Sequence, residues 1–458
     1  MMYDTLNKKG VEYMIVLLGG ISVKILSIKI DGLYDLYNYD IEFNPELTFL
    51  YGENGCGKTT ILNILSSIVT GKFYELYEYQ FKVITLSFKS LKKDGKSKNI
   101  VIEKNKKEPS GIFVKMGEES IIINNFKDRF WSDINDDFEN EFFNEYPLAK
   151  KIKNTFNYIY LPLSRYGINS HYNERNYIIH RRIALGKGWS LEDTYLNNSL
   201  EYISNTIREE CSSINFKEGR ANERFRKKIL NAYMKISPKF DIISLFDEIK
   251  NTDMKEVLNS KELYVKTMKD IDSWDASIEK EFENFFEDFN EQYEEYKNLG
   301  DEKNLPLNLL WQYSKFIKIK EIAELANEHE KVIKGINEPK EKFLQITNKF
   351  FELNGKGKHI EIDRYGKVKF NVGGRPLDLK YMSSGEKQIF IIFASLIFGL
   401  KNNKSGIYII DEPEASLHLK WQREFVSSIL EINPNIQLIF ATHSPEIVGR
   451  YTNYMRKL

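Results

Sequence analysis

Gly52-Glu53-Asn54-Gly55-Cys56-Gly57-Lys58-Thr59 fits the pattern G-x-x-x-x-G-K-[ST], and that spacing carries a mechanism. A glycine-rich loop that opens a helix turns several backbone N–H groups toward one point, where the helix dipole also favours negative charge. Phosphate oxygens suit such a point. Lys58 has the reach to meet β and γ phosphates, and the hydroxyl of Thr59, followed by Thr60, is placed to hold Mg²⁺. Far downstream, Asp411-Glu412-Pro413-Glu414 sets two adjacent carboxylates at the end of an apolar run. Such a pair can divide its labour, Asp411 holding a divalent cation while Glu412 orients and activates water. A second apolar run ends in Ala441-Thr442-His443-Ser444-Pro445, which sets an imidazole just past the end of another predicted strand.

These side chains need elements to position them. Leu47–Tyr51 reads as a strand feeding the loop, and Thr60–Val69 as the helix leaving it. Ile407–Ile410 and Gln437–Phe440 read as strands that end at the carboxylates and at His443. Met382-Ser383-Ser384-Gly385-Glu386-Lys387-Gln388 precedes the apolar run Ile389–Leu400. Val23–Ile30 supplies a first strand, Lys89–Lys107 a solvated hairpin, and Tyr158–Arg165 a strand running out into a loop. His359–Asp363 and Val368–Val372 alternate around a turn as a hairpin does. Between about Tyr166 and Lys356 the pattern is helical. Trp274, Ile278, Phe282, Phe285, Phe289, Tyr293 and Tyr296 recur at helical steps, which predicts one buried face opposite a face crowded with glutamates. That acidic face repels DNA. Leu307–Ile333 reads as the returning helix, and no internal repeat is found.

The ordered set of phosphate loop, Ser383-Ser384-Gly385-Glu386 loop, Asp411-Glu412 pair and His443 resembles the ABC ATPase family, and its wording resembles the branch holding Rad50, SMC, RecF and OLD-type ATPases. The resemblance implies an α/β fold, a split ABC-type P-loop ATPase head with a mostly α-helical insertion. Residues 1–164 would form the N-terminal lobe, 165–357 the insertion and 358–458 the C-terminal lobe. It also implies ATP and Mg²⁺ as ligands, with the nucleotide held by residues 52–60 and the metal by Thr59 and Asp411. Glu412 and His443 would be catalytic. Ser383, Ser384, Gly385 and Glu386 would meet the γ phosphate of ATP bound to a second copy, making the chain an ATP-dependent dimer or a higher homo-oligomer. The family's usual γ-phosphate-sensing glutamine is missing, and Ser164 or Arg165 stands in its place. Size and wording most resemble ATPase subunits of bacterial antiphage systems, of the Septu or PARIS kind, which implies control of a separately encoded nuclease. A RecF-like or Rad50-like DNA-repair ATPase acting directly on DNA is the alternative.

Composition fits this expectation. With 458 residues and 42% of them hydrophobic, the chain has ample material for a core. Lys+Arg 66 balances Asp+Glu 66, so a nucleic-acid surface would have to be local, as at His180-Arg181-Arg182 or at Arg220, Arg224, Arg226, Lys227 and Lys228. Cys56 and Cys211 are the two cysteines, which predicts no disulfide framework and a reducing, cytoplasmic setting. The apolar stretch Met14–Val23 is too short to span a bilayer. Glu361, Asp363 and Lys367 have a spacing met in metal-dependent nucleases, but solvated hairpin charges explain them better. With little sequence after Pro445, no downstream nuclease domain is expected, nor a membrane anchor.

Overall fold

The computed structural model describes residues 23–91, 95–104, 111–124, 136–162, 191–234, 261–262, 264–265, 275–299, 307–353, 357–399 and 406–458. Strand β1 (Val23–Leu33) and β2 (Tyr37–Glu42) form an antiparallel pair, after which β3 (Leu47–Tyr51) leads through the glycine-rich loop into helix α1 (Lys58–Thr70). Strands β4 (Val83–Ser90), β5 (Ser97–Lys104), β6 (Gly111–Met116) and β7 (Glu119–Asn124) extend the first pair into an antiparallel sheet of order β2-β1-β4-β5-β6-β7. The expected lysine-rich hairpin falls on the antiparallel pair β4 and β5, and the second strand also buries Ile100 and Ile102. Helices α2 (Asp136–Glu145) and α3 (Pro147–Thr155) cover this layer before β8 (Tyr158–Pro162). Ser164, Arg165 and the His180-Arg181-Arg182 group lie outside the described residues.

Long helices follow: α4 (Leu191–Met234), α5 (Ala276–Leu299) and α6 (Leu307–Glu352). Then come β9 (Lys358–Ile362), β10 (Val368–Val372) and β11 (Arg375–Leu377) as an antiparallel sheet, and α7 (Ser384–Phe398). Last are β12 (Ile407–Asp411), α8 (Leu419–Ile432), β13 (Gln437–Ala441), α9 (Pro445–Val448) and β14 (Met455–Lys457).

Strands from both ends of the chain join in one parallel sheet of order β14-β3-β13-β12-β8. Parallel strands covered on both faces read as near-continuous apolar runs, as the fully buried central β12 and β13 do. Phe49, Tyr408, Ile410, Leu438 and Phe440 point into a core shared with α7 and α8. Leu50, Ile407, Ile409, Ile439 and Ala441 point into a second core with α1 and the antiparallel sheet.

The described residues divide into two compact units: residues up to 211 together with 339–458, and residues 212–338. The second has its own aromatic core, in which Phe282, Phe286, Phe289 and Tyr293 of α5 meet Leu309, Tyr313 and Phe316 of α6. Phe286 is the buried member of the adjacent pair, while Phe285 is only partly buried and Ile278 is exposed. Trp274 lies outside the described residues. The returning helix runs well past Ile333, through Pro339.

Gln437 joins the two sheets of the larger unit. It is fully buried, and its Oε1 accepts from the Ile25 N–H at 2.8 Å while its Nε2 donates to the Ile25 carbonyl at 2.8 Å and to the Asn44 carbonyl at 2.9 Å. One side chain thus completes the hydrogen bonds that a neighbouring strand would give β1. Beside it, Lys24 Nζ donates to the Asn435 carbonyl at 2.9 Å, and burial lowers the Lys24 pKa to about 8. Gln437→Leu is expected to leave buried backbone groups unpaired, at roughly 1–3 kcal/mol each. Urea unfolding should show a loss of several kcal/mol. A change within experimental error would mean the two sheets are not joined here.

Candidate functional site

The parallel register aligns the strand ends. Leu50 of β3 lies beside Ala441 of β13, and Ala441 beside Asp411 of β12, so the loops that follow emerge at one edge of the sheet. Ligand sites in open α/β sheets form outside these carboxyl ends.

The glycine-rich loop is shaped by close approach. Gly57 caps α1 with φ +85, and a Cβ there would meet the Tyr39 hydroxyl at 2.8 Å. Only glycine fits both conditions without strain. The Tyr39 hydroxyl also donates to the Cys56 carbonyl at 3.0 Å, fixing the loop from β2. Glu53, Asn54 and Gly55 form its exposed crest. Lys58 is buried beneath them, its Nζ donating to the Gly52 and Glu53 carbonyls at 3.1 Å each and lying 3.7 Å from the Cys56 Sγ. Thr59 is exposed and Thr60 partly buried in the first turn.

Asp411 and Thr59 are neighbours, close enough for the threonine hydroxyl to favour the ionised carboxylate. Asp411 is 1% exposed, and its Oδ1 has no hydrogen-bond partner among the described residues. Burial raises its pKa to about 6, opposed by the Thr59 hydroxyl and the Lys58 charge and assisted by Glu412 and Glu414. A buried carboxylate oxygen with no donor, next to a threonine hydroxyl on an adjacent helix, is a hard-oxygen donor set suited to Mg²⁺. Tyr160 of β8 stands close by, its hydroxyl donating to Asn63 Oδ1 at 2.6 Å. Its pKa is raised by burial and further by Asp411.

Glu412 follows in a left-handed conformation, φ 48, which costs a non-glycine residue on the order of 1–3 kcal/mol. Its N–H donates to the Ala441 carbonyl at 2.8 Å, which holds this turn against the end of β13. Glu414 Oε1 accepts from the His443 N–H at 2.6 Å, so the two strand-end turns are tied together. The His443 side chain is exposed.

Ser383, Ser384, Gly385 and Glu386 lie elsewhere, at the N-terminus of α7. That helix packs in the core on the face of the parallel sheet away from α1. Ser383 and Glu386 form a reciprocal capping box, and Lys358 reinforces it through an ion pair with Glu386 at 2.6 Å. A Cβ on Gly385 would meet the Ser416 carbonyl at 2.5 Å, and Gln388 Nε2 donates to the Pro413 carbonyl at 3.3 Å. The loop is thereby braced on the turn that follows Glu412, while its serines stay exposed.

Sequence motifs pointed to these residues one by one; Tyr39, Lys358 and the tie of Glu414 to His443 escaped because their partners are distant in sequence. Glu361, Asp363 and Lys367 form no such site. The Asp363 carboxylate accepts from the Tyr365 and Lys367 N–H groups at 2.9 and 3.0 Å, organising the hairpin turn. Among the described residues no group of three His, Cys, Asp or Glu could hold a metal ion, and no helix is long and apolar enough to cross a membrane.

The AAA ATPase domain family matches residues 24–448. Among curated proteins, a retron Vc95 probable ATPase of Vibrio cholerae serotype O1 biovar El Tor is 32% identical over 94 residues, 19% of this chain and 18% of that protein. A Septu protein PtuA of Bacillus mycoides (strain KBAB4) is 32% identical over 122 residues, 23% of this chain and 17% of that protein. The chain therefore aligns with under a fifth of the length of either relative. Among solved structures, an Smc head domain from Pyrococcus furiosus has 13% identity and a TM-score of 0.39, covering 93% of this chain and 91% of that one. RecF has 12% identity and a TM-score of 0.34, covering 94% and 95%. At these scores the overall superposition is loose, and the fold rests on the strand order.

The raised pKa of Asp411 has a stability cost with a definite sign. Between its ordinary value of 3.8 and about 6, the folded chain keeps a proton that the unfolded chain has released. Stability falls as pH rises through that window, by up to roughly 3 kcal/mol once above it. Asp411→Asn removes the buried charge. In EDTA and without nucleotide, it should raise the melting temperature at pH 8 by a few degrees, with the gain shrinking toward pH 4.5. An unchanged or lower melting temperature at pH 8 would refute the burial cost.

Proposed function

The chain belongs to the AAA ATPase domain family, and from that premise we propose that it binds and hydrolyses ATP at the edge of its parallel sheet and controls or scaffolds a separate effector nuclease in bacterial antiphage defence. The observation that carries the first part is the convergence of Lys58, Thr59 and Asp411, with Glu412 and His443 on adjoining turns. Phosphates would take the loop's N–H groups, and Lys58 would exchange its two carbonyl partners for phosphate oxygens. Mg²⁺, held by Thr59 and Asp411, would neutralise phosphate charge. Glu412 orients the attacking water and accepts its proton, and the bond from its N–H to the Ala441 carbonyl fixes the turn from which its side chain extends. His443 reads the γ phosphate.

Ser383, Ser384, Gly385 and Glu386 complete the site of a second copy. Their rigid capping box and their position on the far face from α1 support a role across subunits rather than within one. ATP then joins two chains, each giving one half of two sites. The defence role is supported by the names of the retron and Septu relatives and by the sequence resemblance to antiphage ATPase subunits. The working form would be a homo-oligomer in the cytoplasm, with the nuclease encoded separately.

Binding and hydrolysis should separate by mutation. Lys58→Ala is expected to weaken ATP binding at least tenfold, whereas Glu412→Gln should bind ATP normally and lose turnover by 10²-fold or more. Nucleotide titration and phosphate release test this; parental turnover in Glu412→Gln would sink the role of Glu412.

The shared site makes a further demand. Lys58→Ala and Ser383→Arg chains, each inactive alone, should regain activity when mixed, because one of the two composite sites is then intact. Silence in a mixture shown to contain heteromers would exclude hydrolysis across the interface.

A further inference from the structure

The portion of α4 in the smaller unit has two unlike faces. Ile214, Phe225 and Ala232 are buried, and this side meets α6. Phe225 stacks on His329 with centroids 4.3 Å apart, Lys228 pairs with Glu328 at 3.0 Å, and Lys318 Nζ donates to the Ala232 carbonyl at 2.8 Å. The other side carries Phe216, Arg220, Glu223, Lys227, Leu230 and Met234, at alternating steps of four and three. At ~100° per residue these six lie within about 40° of one line along the helix. All are exposed, including the large apolar Phe216 at 65%, Leu230 at 62% and Met234 at 75%.

This stripe is its own complement. Turned end for end about the level of Phe225, it sets Phe216 against Met234, Arg220 against Leu230 and Glu223 against Lys227, each pairing occurring twice. Alternating four–three spacing with opposed layers is the seam of an antiparallel two-stranded coil, and the self-match is what a two-fold interface requires. Lys227 and Glu223 already pair within the chain at 2.6 Å. A second antiparallel copy closes that pair into a ring of four alternating charges, whereas a parallel copy sets Glu on Glu and Lys on Lys. Beside the stripe lies Gly219, where a Cβ would meet nothing within 4 Å. Glycine weakens a helix interior, and at this position it leaves room for another backbone to come close.

We propose that residues 216–234 form an antiparallel pairing surface for a second copy of this chain, independent of nucleotide. The surface goes beyond the ATP-dependent association argued above and shares no residue with it. Its length of ~27 Å and its charged middle layer place it in the weak, transient class of interfaces.

Sedimentation of the full chain in EDTA without nucleotide, up to about 200 µM, tests the pairing where micromolar contacts are visible. The parental chain should dimerise reversibly. Glu223→Lys and Lys227→Glu should each weaken self-association at least tenfold, yet associate with each other when mixed, since lysines then face glutamates in both layers formed by residues 223 and 227. The double reversal E223K/K227E should restore self-pairing. Leu230→Glu should abolish it, with circular dichroism and the thermal transition confirming an intact fold. A parental chain that stays monomeric at the highest concentration overturns the proposal. So does a dimer indifferent to the charge reversals, or a failure of the two single variants to find each other.

Discussion

Parallel pairing between strands from opposite ends of the chain is the constraint on which the site depends. Lys58 and Thr59 follow β3; Asp411 ends β12 and Glu412 follows it; His443 follows β13; the strands share one register at their carboxyl ends. A slip of one residue would displace one loop by ~3.3 Å and swap every side chain between the two cores. Apolar side chains cover both faces, so hydrophobicity alone discriminates poorly between registers. Gln437 adds what is missing. A fully buried amide has to find polar partners, and Ile25 and Asn44 supply them in one alignment of β13 against the antiparallel sheet.

Buried polar groups elsewhere in the site have a related logic. Asp411 is kept in a poor environment for a charge, and Glu412 in a poor conformation for its backbone. Both departures sit within a frame that over-determines them: the β12 pairings on two sides, the Glu412–Ala441 bond and the Glu414–His443 bond. Local sacrifice of stability next to a phosphate-binding loop is the usual accompaniment of a preorganised site.

Much of this was legible in the sequence because the motifs are local. The eight-residue loop carries its strand and helix with it, the acid pair ends an apolar run, and the hairpin of β9 and β10 alternates as expected. What escaped was non-local or degenerate. Gln437 reads as an ordinary strand residue, and nothing nearby announces Ile25 as its partner. Tyr39 under Gly57 and Lys358 on Glu386 join segments far apart in the chain. In α5, adjacent Phe285 and Phe286 both satisfy a helical period, and only the packing of the aromatic core, where Phe286 is buried against Phe282, distinguishes it from the partly buried Phe285. Helix α6 extends beyond the predicted Leu307–Ile333 and continues through Pro339, although proline lacks an N–H and usually ends or bends a helix.

The position of β3 has a consequence during synthesis. Its two neighbours are β13 and β14, made long after it, so the strand that feeds the phosphate loop has no partners while the ribosome is still producing the helices. The antiparallel strands around it can pair early, since their contacts are close in sequence, but β3 must wait. Leu47, Phe49 and Leu50 are an exposed apolar edge for that interval, a substrate for chaperones and a hazard for aggregation. The same delay means that an unfinished chain has the sequence of a phosphate loop without its shape, so nucleotide competence arrives only with the final strands.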